Sequence, residues 1–156
     1  MKVIVSDPIS DDGLKIFYDN NIDVVDATNS TIDENYEHIP TANAWVIRSG
    51  TTLDEKIISK ADKLTVIGRA GVGIDNIDIS AATRKGVVVM NTPDANTISA
   101  AEHTMALLLS LSRNISYGYQ SILNGVWDRH KFIGSELRGK TLGIIGLGKI
   151  GREVMQ

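Results

Sequence analysis

Gly143-Ile144-Ile145-Gly146-Leu147-Gly148-Lys149-Ile150-Gly151 decides how this chain is read. Thr141 to Ile145 reads as a buried strand, and Gly146-x-Gly148-x-x-Gly151 as the loop that joins such a strand to a helix around a dinucleotide. Glycines let the backbone approach a pyrophosphate, and the helix N-terminus adds aligned N–H groups carrying partial positive charge. The acidic residue that would hold the cofactor ribose is expected about 20 residues further on. Only Arg152 to Gln156 follow, so the chain is expected to open a nucleotide-binding fold without finishing it.

The preceding residues suit one small domain followed by this opening. The chain has 156 residues, of which 42% are hydrophobic and 22% charged, the balance of a globular protein that buries a real core. A net charge of -3, with no basic run, argues against a nucleic-acid or anionic-membrane binder. With no Cys there is no disulfide, thiolate metal site or Cys nucleophile, and no metal site is expected. The chain opens directly on the strand-like Val3-Ile4-Val5, without a signal-peptide pattern, so a cytoplasmic setting is the expectation. Met105 to Leu111, the most apolar stretch, falls far short of the roughly 20 residues that cross a bilayer.

Short apolar runs at Val3–Val5, Ile22–Val25, Ala44–Ile47, Leu64–Ile67 and Val87–Met90 alternate with helix-like segments. Strands separated by helices imply crossovers and a parallel sheet covered on both faces, so the fold class is α/β and flavodoxin-like. Thr31 with Glu34 and Thr52 with Glu55 have capping-box spacing, which predicts helix starts. Pro93 cannot donate to a ladder and holds Thr92 extended, which places the boundary of the first domain at residue 93. Beyond it, Ser99 with Glu102 is a third capping-box candidate, opening a long helix through Met105, Leu108, Leu109 and Ile115 to about Leu123. Its apolar residues wrap around much of the helix, which implies burial against more than one surface. Asn124 to Lys140, with Trp127, Arg129, His130 and Lys131, reads as a long loop reaching another subunit.

Ligands of an open parallel sheet bind beyond the carboxyl ends of its strands. The tips here are Ser6-Asp7-Pro8, Arg48-Ser49-Gly50-Thr51, Gly68-Arg69-Ala70-Gly71-Val72-Gly73 and Asn91 to Asn96. Arg48 and Arg69 suit bidentate pairing with a carboxylate or phosphate, while glycine lets N–H groups converge on the same anion. That implies a small acidic ligand; a structural ion-pair role for either arginine stays open beside it. Asp7 invites comparison with a phosphorylated receiver domain, but Arg48 stands where that mechanism needs an acidic group. The first loop also lacks the run of hydroxyl residues that holds an FMN phosphate.

Arg48-Ser49, Gly68-Arg69-Ala70-Gly71-Val72-Gly73-Ile74-Asp75-Asn76-Ile77-Asp78, Asn91-Thr92-Pro93-Asp94-Ala95-Asn96 and Ser99-Ala100-Ala101-Glu102-His103 together resemble the D-isomer-specific 2-hydroxyacid dehydrogenases. Gly125-Val126-Trp127-Asp128-Arg129-His130-Lys131-Phe132, leading into Leu137 to Gly143, is similar to the branch that acts on a phosphorylated 2-hydroxy acid. The resemblance implies a substrate domain over 1–93. Residues 94–156 would then be the start of a Rossmann NAD-binding domain with a dimerisation helix and loop.

It implies substrate contacts at Arg48, Ser49, Arg69, Gly71 and Asn96, with Arg129 and Lys131 reaching toward the phosphate. Cofactor contacts are implied at Val72, Gly146, Gly148, Lys149, Ile150 and Gly151. The implied activity is NAD-dependent oxidation of a 2-hydroxy acid by a homodimer or larger homo-oligomer. The family's catalytic Arg, Glu and His are expected downstream of Gln156, so the chain alone is expected to be inactive. His38 and His103 read as structural or surface residues; His130 sits in the cationic loop. A glyoxylate or hydroxypyruvate reductase and a noncatalytic dimerisation or binding module are the alternatives. Trp127 and Phe132 read equally as loop anchors or subunit contacts.

Overall fold

The computed structural model describes residues 1–156 and divides them into two compact units, Met1–Ala95 and Asn96–Gln156. The first holds strands β1 (Lys2–Val5), β2 (Asp23–Asp26), β3 (Ala44–Ile47), β4 (Val66–Arg69) and β5 (Val88–Asn91). They form one parallel sheet in the order β2-β1-β3-β4-β5, the flavodoxin-like arrangement expected from the alternating runs. β4 starts at Val66 rather than Leu64 because the Leu64 N–H is spent on the Ala61 carbonyl, closing the turn before the strand.

Helix α1 (Asp11–Asp19) is capped by Ser10, whose hydroxyl accepts from the Gly13 N–H, and Asp11 and Asp12 suit the positive end of its dipole. α2 (Glu55–Lys60) starts at Asp54, not at Thr52: the Asp54 carboxylate accepts from the Ile57 N–H at 2.9 Å. An aspartate directly before the helix satisfies the same orphan donor, and the Thr52–Glu55 box does not form. α3 (Ile79–Lys85) is capped by Asp78 and ends on Gly86 in the left-handed conformation.

The expected Thr31–Glu34 box is present but caps no α-helix. The Thr31 N–H donates to Glu34 at 2.6 Å, and the Glu34 N–H donates back to the Thr31 hydroxyl at 3.3 Å. The chain then runs through turns to a 3₁₀ turn at Ile39–Thr41. Bonds to the third residue back, such as Asn35 N–H to Ile32 O and His38 N–H to Asn35 O, replace the α ladder, and Pro40 supplies no donor to extend one.

Alternation along the strands gives the sheet two apolar faces. Ile4, Trp45, Ile47 and Ile67 pack with Ile58 of α2, Ala61 at its end, Ala81 and Ala82 of α3, and Ile39. Val3, Val5, Val24, Val46 and Val66 on the other face pack with Leu14 and Phe17 of α1. Val88 and Met90 extend that second face onto β5 and are more than half exposed within the structure.

The second unit carries α4 (Thr97–Ser112), α5 (Ile115–Leu123) and α6 (Lys149–Met155), with α6 packed on α4. α4 begins after Asn96, without a side-chain cap, so Ser99 lies inside the helix and its box with Glu102 is not formed. The long helix expected to Leu123 is two helices, because Asn114 turns left-handed at φ 54°. Asn is among the few residues that accept this geometry, and its side-chain amide donates to the Ile133 carbonyl at 3.3 Å. Asn124 to Lys140 is loop, as expected. Thr141 to Ile145, expected as a strand, is not one, and Ile145 is fully exposed. A strand needs a lateral backbone partner to satisfy its N–H and C=O groups, and none lies beside this segment.

Two outcomes test this packing. Ile58, only 1% exposed, fills the α2 side of the core; Ile58→Ala is expected to cost about 2–5 kcal/mol in chemical denaturation. The Thr31 hydrogen bonds hold the Glu34 carboxyl below its ordinary pKa, its backbone N–H being the larger cause. A depressed folded pKa gives stability that is present above the unfolded value and lost as pH falls through the folded one. Glu34→Gln should therefore flatten the loss of Tm on acidification below about pH 4.3, the usual glutamate value.

Candidate functional site

Because every strand of the first unit runs the same way, the tips following β1, β3, β4 and β5 lie along one edge of the sheet. The order reverses between β1 and β3, the position where open α/β sheets leave a crevice for a ligand. Arg48, Ser49 and Gly50 follow β3 there, all exposed. Ile47 is in register with Arg69, so the second arginine leaves the neighbouring strand at the same level. Sequence reasoning assigns Arg48, Ser49, Arg69, Gly71 and Val72 to these two tips, and the fold brings them together.

The tip after β4 is shaped around its own arginine. The Arg69 Nε donates to Asn76 Oδ1 at 3.1 Å, and its guanidinium passes so close to Gly71 that a Cβ there would collide with it. A Cβ on Gly73 would crowd Asp75 in the same turn, at 2.7 Å from Oδ1. The loop is tied to β5 by the Thr92 N–H on the Gly71 carbonyl and by the Asn91 side-chain amide on the Val72 carbonyl at 2.7 Å. Arg69 therefore leaves the sheet along a fixed path over glycines.

The tips after β1 and β3 are joined as well. Asp7, 8% exposed, accepts the Arg48 N–H at 2.6 Å and the Thr51 N–H at 3.1 Å through one carboxylate oxygen. Asn76 donates to the Arg48 carbonyl at 2.6 Å and to the Thr51 carbonyl. Sequence reasoning marks Asp7 as a tip residue and Asn76 as part of a motif, but gives neither a role. The signal is only a short polar residue next to each tip, which does not say what it bonds. Beside these loops a cavity of about 670 Å³ is lined by Pro8, Ile9, Phe17, Arg48, Ala70 and Thr92.

The remaining candidates belong to the second unit. Asn96 precedes α4, and Arg129 and Lys131 stand exposed on a turn in which Asp128 receives the His130 N–H at 3.2 Å. That turn is fastened to α5 by the Val126 N–H on Ser121 O and the Ser121 hydroxyl on Val126 O at 2.8 Å. Trp127 is 80% exposed at the rim of a small apolar hollow with Ile122, Val126 and Phe132. His103 and His130 are exposed, and His38 lies 3.5 Å from the Glu37 carboxylate.

Gly146 and Gly148 lie in the loop into α6, and Lys149, Ile150 and Gly151 form the first turn of that helix, although no strand precedes the loop. Gly146 has φ 94°, and α6 begins directly after Gly148. Gly151 lies so close to the Gly146 carbonyl that a Cβ would strike it. The local geometry of a dinucleotide loop is thus written in the glycines themselves, and this donor set fits a pyrophosphate.

Residues 3–148 match the family described as D-isomer specific 2-hydroxyacid dehydrogenase, catalytic domain. The chain is 51% identical over 156 residues to D-3-phosphoglycerate dehydrogenase of Methanocaldococcus jannaschii, covering 100% of this chain and 30% of that protein. It is 46% identical over 153 residues to the Homo sapiens D-3-phosphoglycerate dehydrogenase, covering 98% of this chain and 29% of that protein. The chain therefore spans about 30% of the length of these relatives. Among solved structures, the NAD-dependent formate dehydrogenase of Staphylococcus aureus in complex with NAD superposes with a TM-score of 0.85 at 27% identity, over 99% of this chain and 52% of that one. A protein of Thermus thermophilus superposes with a TM-score of 0.91 at 28% identity, over 99% of this chain and 51% of that one. This chain belongs to the D-isomer-specific 2-hydroxyacid dehydrogenase family.

Proposed function

We propose that residues 1–156 are the substrate domain and the opening of the NAD-binding domain of a D-3-phosphoglycerate dehydrogenase, with the domain boundary near residue 93. The reaction is oxidation of the C2 hydroxyl of 3-phosphoglycerate to 3-phosphohydroxypyruvate, the first step of serine biosynthesis. The observation that carries this reading is the pair of arginines on adjacent strand tips, Arg48 and Arg69, beside backbone amides, in a chain about half identical to enzymes of that name. Two guanidinium groups and converging N–H donors suit a small anion better than a neutral ligand.

In this reading Arg48, Ser49, Arg69, Gly71 and Asn96 hold the substrate, and Arg129 and Lys131 add positive charge for its phosphate. Val72 and the loop from Gly146 to Gly151 hold NAD, which when bound accepts the hydride from C2. A group that takes the hydroxyl proton must titrate near neutrality at the reacting carbon. His38, beside Glu37 in the turn that precedes β3, and the exposed His103 and His130 are not assigned that role. The Arg, Glu and His that perform the chemistry are assigned to residues beyond 156.

The exposed apolar residues of the second unit support a homodimer or larger homo-oligomer. Leu107, Leu111, Tyr117, Tyr119, Trp127 and Ile133 are each more than half exposed, and large apolar patches left exposed mark interaction surfaces. No helix of the structure is long and apolar enough to cross a membrane.

The purified chain is expected to bind 3-phosphoglycerate while forming no NADH from it and NAD; measurable turnover would refute the assignment of catalytic residues beyond 156. D-glycerate, lacking the phosphate, should bind at least about tenfold more weakly by calorimetry, since a charge-assisted contact contributes about 1.5–3 kcal/mol. Equal affinity would favour the glyoxylate or hydroxypyruvate reductase reading. Light scattering should report a dimer or larger species, and a monodisperse monomer would count against the subunit-contact role of the helices and loop.

A further inference from the structure

We infer that Asp7 and Asn76 are positioning residues which set the Arg48–Thr51 loop so that the N–H groups of Ser49 and Gly50 face an anionic oxygen of the ligand, an inference that rests on the substrate reading of these tips.

The loop has four backbone N–H groups, at Arg48, Ser49, Gly50 and Thr51. Asp7 accepts the outer pair, Arg48 and Thr51, through Oδ2. Asn76 donates its side-chain amide to the carbonyls of the same two residues. Both ends of the loop are therefore fixed at N–H and C=O alike, from β1 on one side and from the turn after β4 on the other. The N–H groups of Ser49 and Gly50 have no partner within the structure, and both residues are exposed. Successive free amides at a strand tip form a concavity that binds anions. Gly50 is required because Asp7 occupies the space a side chain would fill: a Cβ there would collide with Oδ1.

Asn76 has a second duty. Its Oδ1 accepts from Arg69 Nε at 3.1 Å while its Nδ2 holds the Arg48 carbonyl, so one side chain sets the spacing between the two arginine-bearing tips. Charge also matters. Asp7 places a carboxylate beside an anion site, an arrangement that serves binding only while that carboxylate is committed to the outer amides. No contact with the reacting atoms is assigned to either residue.

The test is a titration of the isotopically labelled 156-residue chain with 3-phosphoglycerate, followed through the Ser49 and Gly50 amide resonances, with Tm measured on each variant. Wild-type chain should saturate with shifts at these two amides. Asp7→Ala and Asn76→Asp should each weaken binding by about tenfold or more, the loss of oriented donors. Asn76→Asp keeps the Arg69 acceptor but removes the donors to the loop and adds a negative charge, so Asn76→Ala, which removes the donors without adding charge, is measured beside it and should show the same loss. Asp7→Asn keeps one acceptor oxygen and should restore binding to within about threefold of wild type. Ile58→Val, a core change that lowers Tm without touching the loop, should leave affinity unchanged.

Wild-type affinity in both Asp7→Ala and Asn76→Asp overturns the inference. So does an affinity loss that simply follows Tm across the series, Ile58→Val included, since that is stability alone. If Asp7→Ala does not fold, Asn76→Asp decides the matter by itself. Failure of the wild-type chain to bind 3-phosphoglycerate at all would overturn the substrate reading, and this inference with it; binding by wild type with unaffected variants overturns only the inference.

Discussion

Parallel pairing of β1 with both of its neighbours is the constraint on which the first unit depends. A central strand that runs with β2 on one side and β3 on the other forces each connection to cross the sheet, and so demands cover on both faces. Hence strands built from Val and Ile, with Leu14 and Phe17 on one side and Ile58 and Ala82 on the other. The same constraint gathers the chemistry. Since every strand ends at one edge, Asp7, Arg48, Arg69 and Asn91 arrive together there although a long stretch of chain separates the first from the last.

The alternation of apolar runs made all five strands legible, because a fully buried parallel strand leaves an unbroken Val/Ile signature. Helix starts were harder to read. Three capping-box spacings were visible, and none opens an α-helix: at Thr52 a nearer aspartate took the role, at Ser99 the helix had already begun, and at Thr31 the box closed on turns. The spacing of two side chains names a local hydrogen bond, not the length of the element beyond it. The break at Asn114 was hidden for a related reason, since apolar residues continue across it and only a backbone angle records the turn.

At the site, residue types were legible and connections were not. Two arginines on adjacent strand ends announce an anion, but the hydrogen bonds from Asp7 and Asn76 to the β3 loop span 41 and 28 residues and depend on strand order. A segment such as Thr141–Ile145 shows the opposite failure. Its sequence has every mark of a strand, yet a ladder is a property of two segments, and its partner is not among these residues. The glycine loop after it needs no partner and so adopts its shape alone.

The order β2-β1-β3-β4-β5 also leaves the sheet with two unlike margins. β2 begins and ends with aspartate, at Asp23 and Asp26, and a charged border discourages a foreign strand from adding to it. β5 carries Val88, Val89 and Met90 with no charge among them, and Val88 and Met90 are more than half exposed. Considered by itself, the first unit is therefore polarised toward self-association: one margin repels extension by charge, while the other offers a free backbone ladder flanked by apolar side chains. A chain shortened to end near Ala95 would be made more soluble by a lysine placed on β5 than by any change on β2.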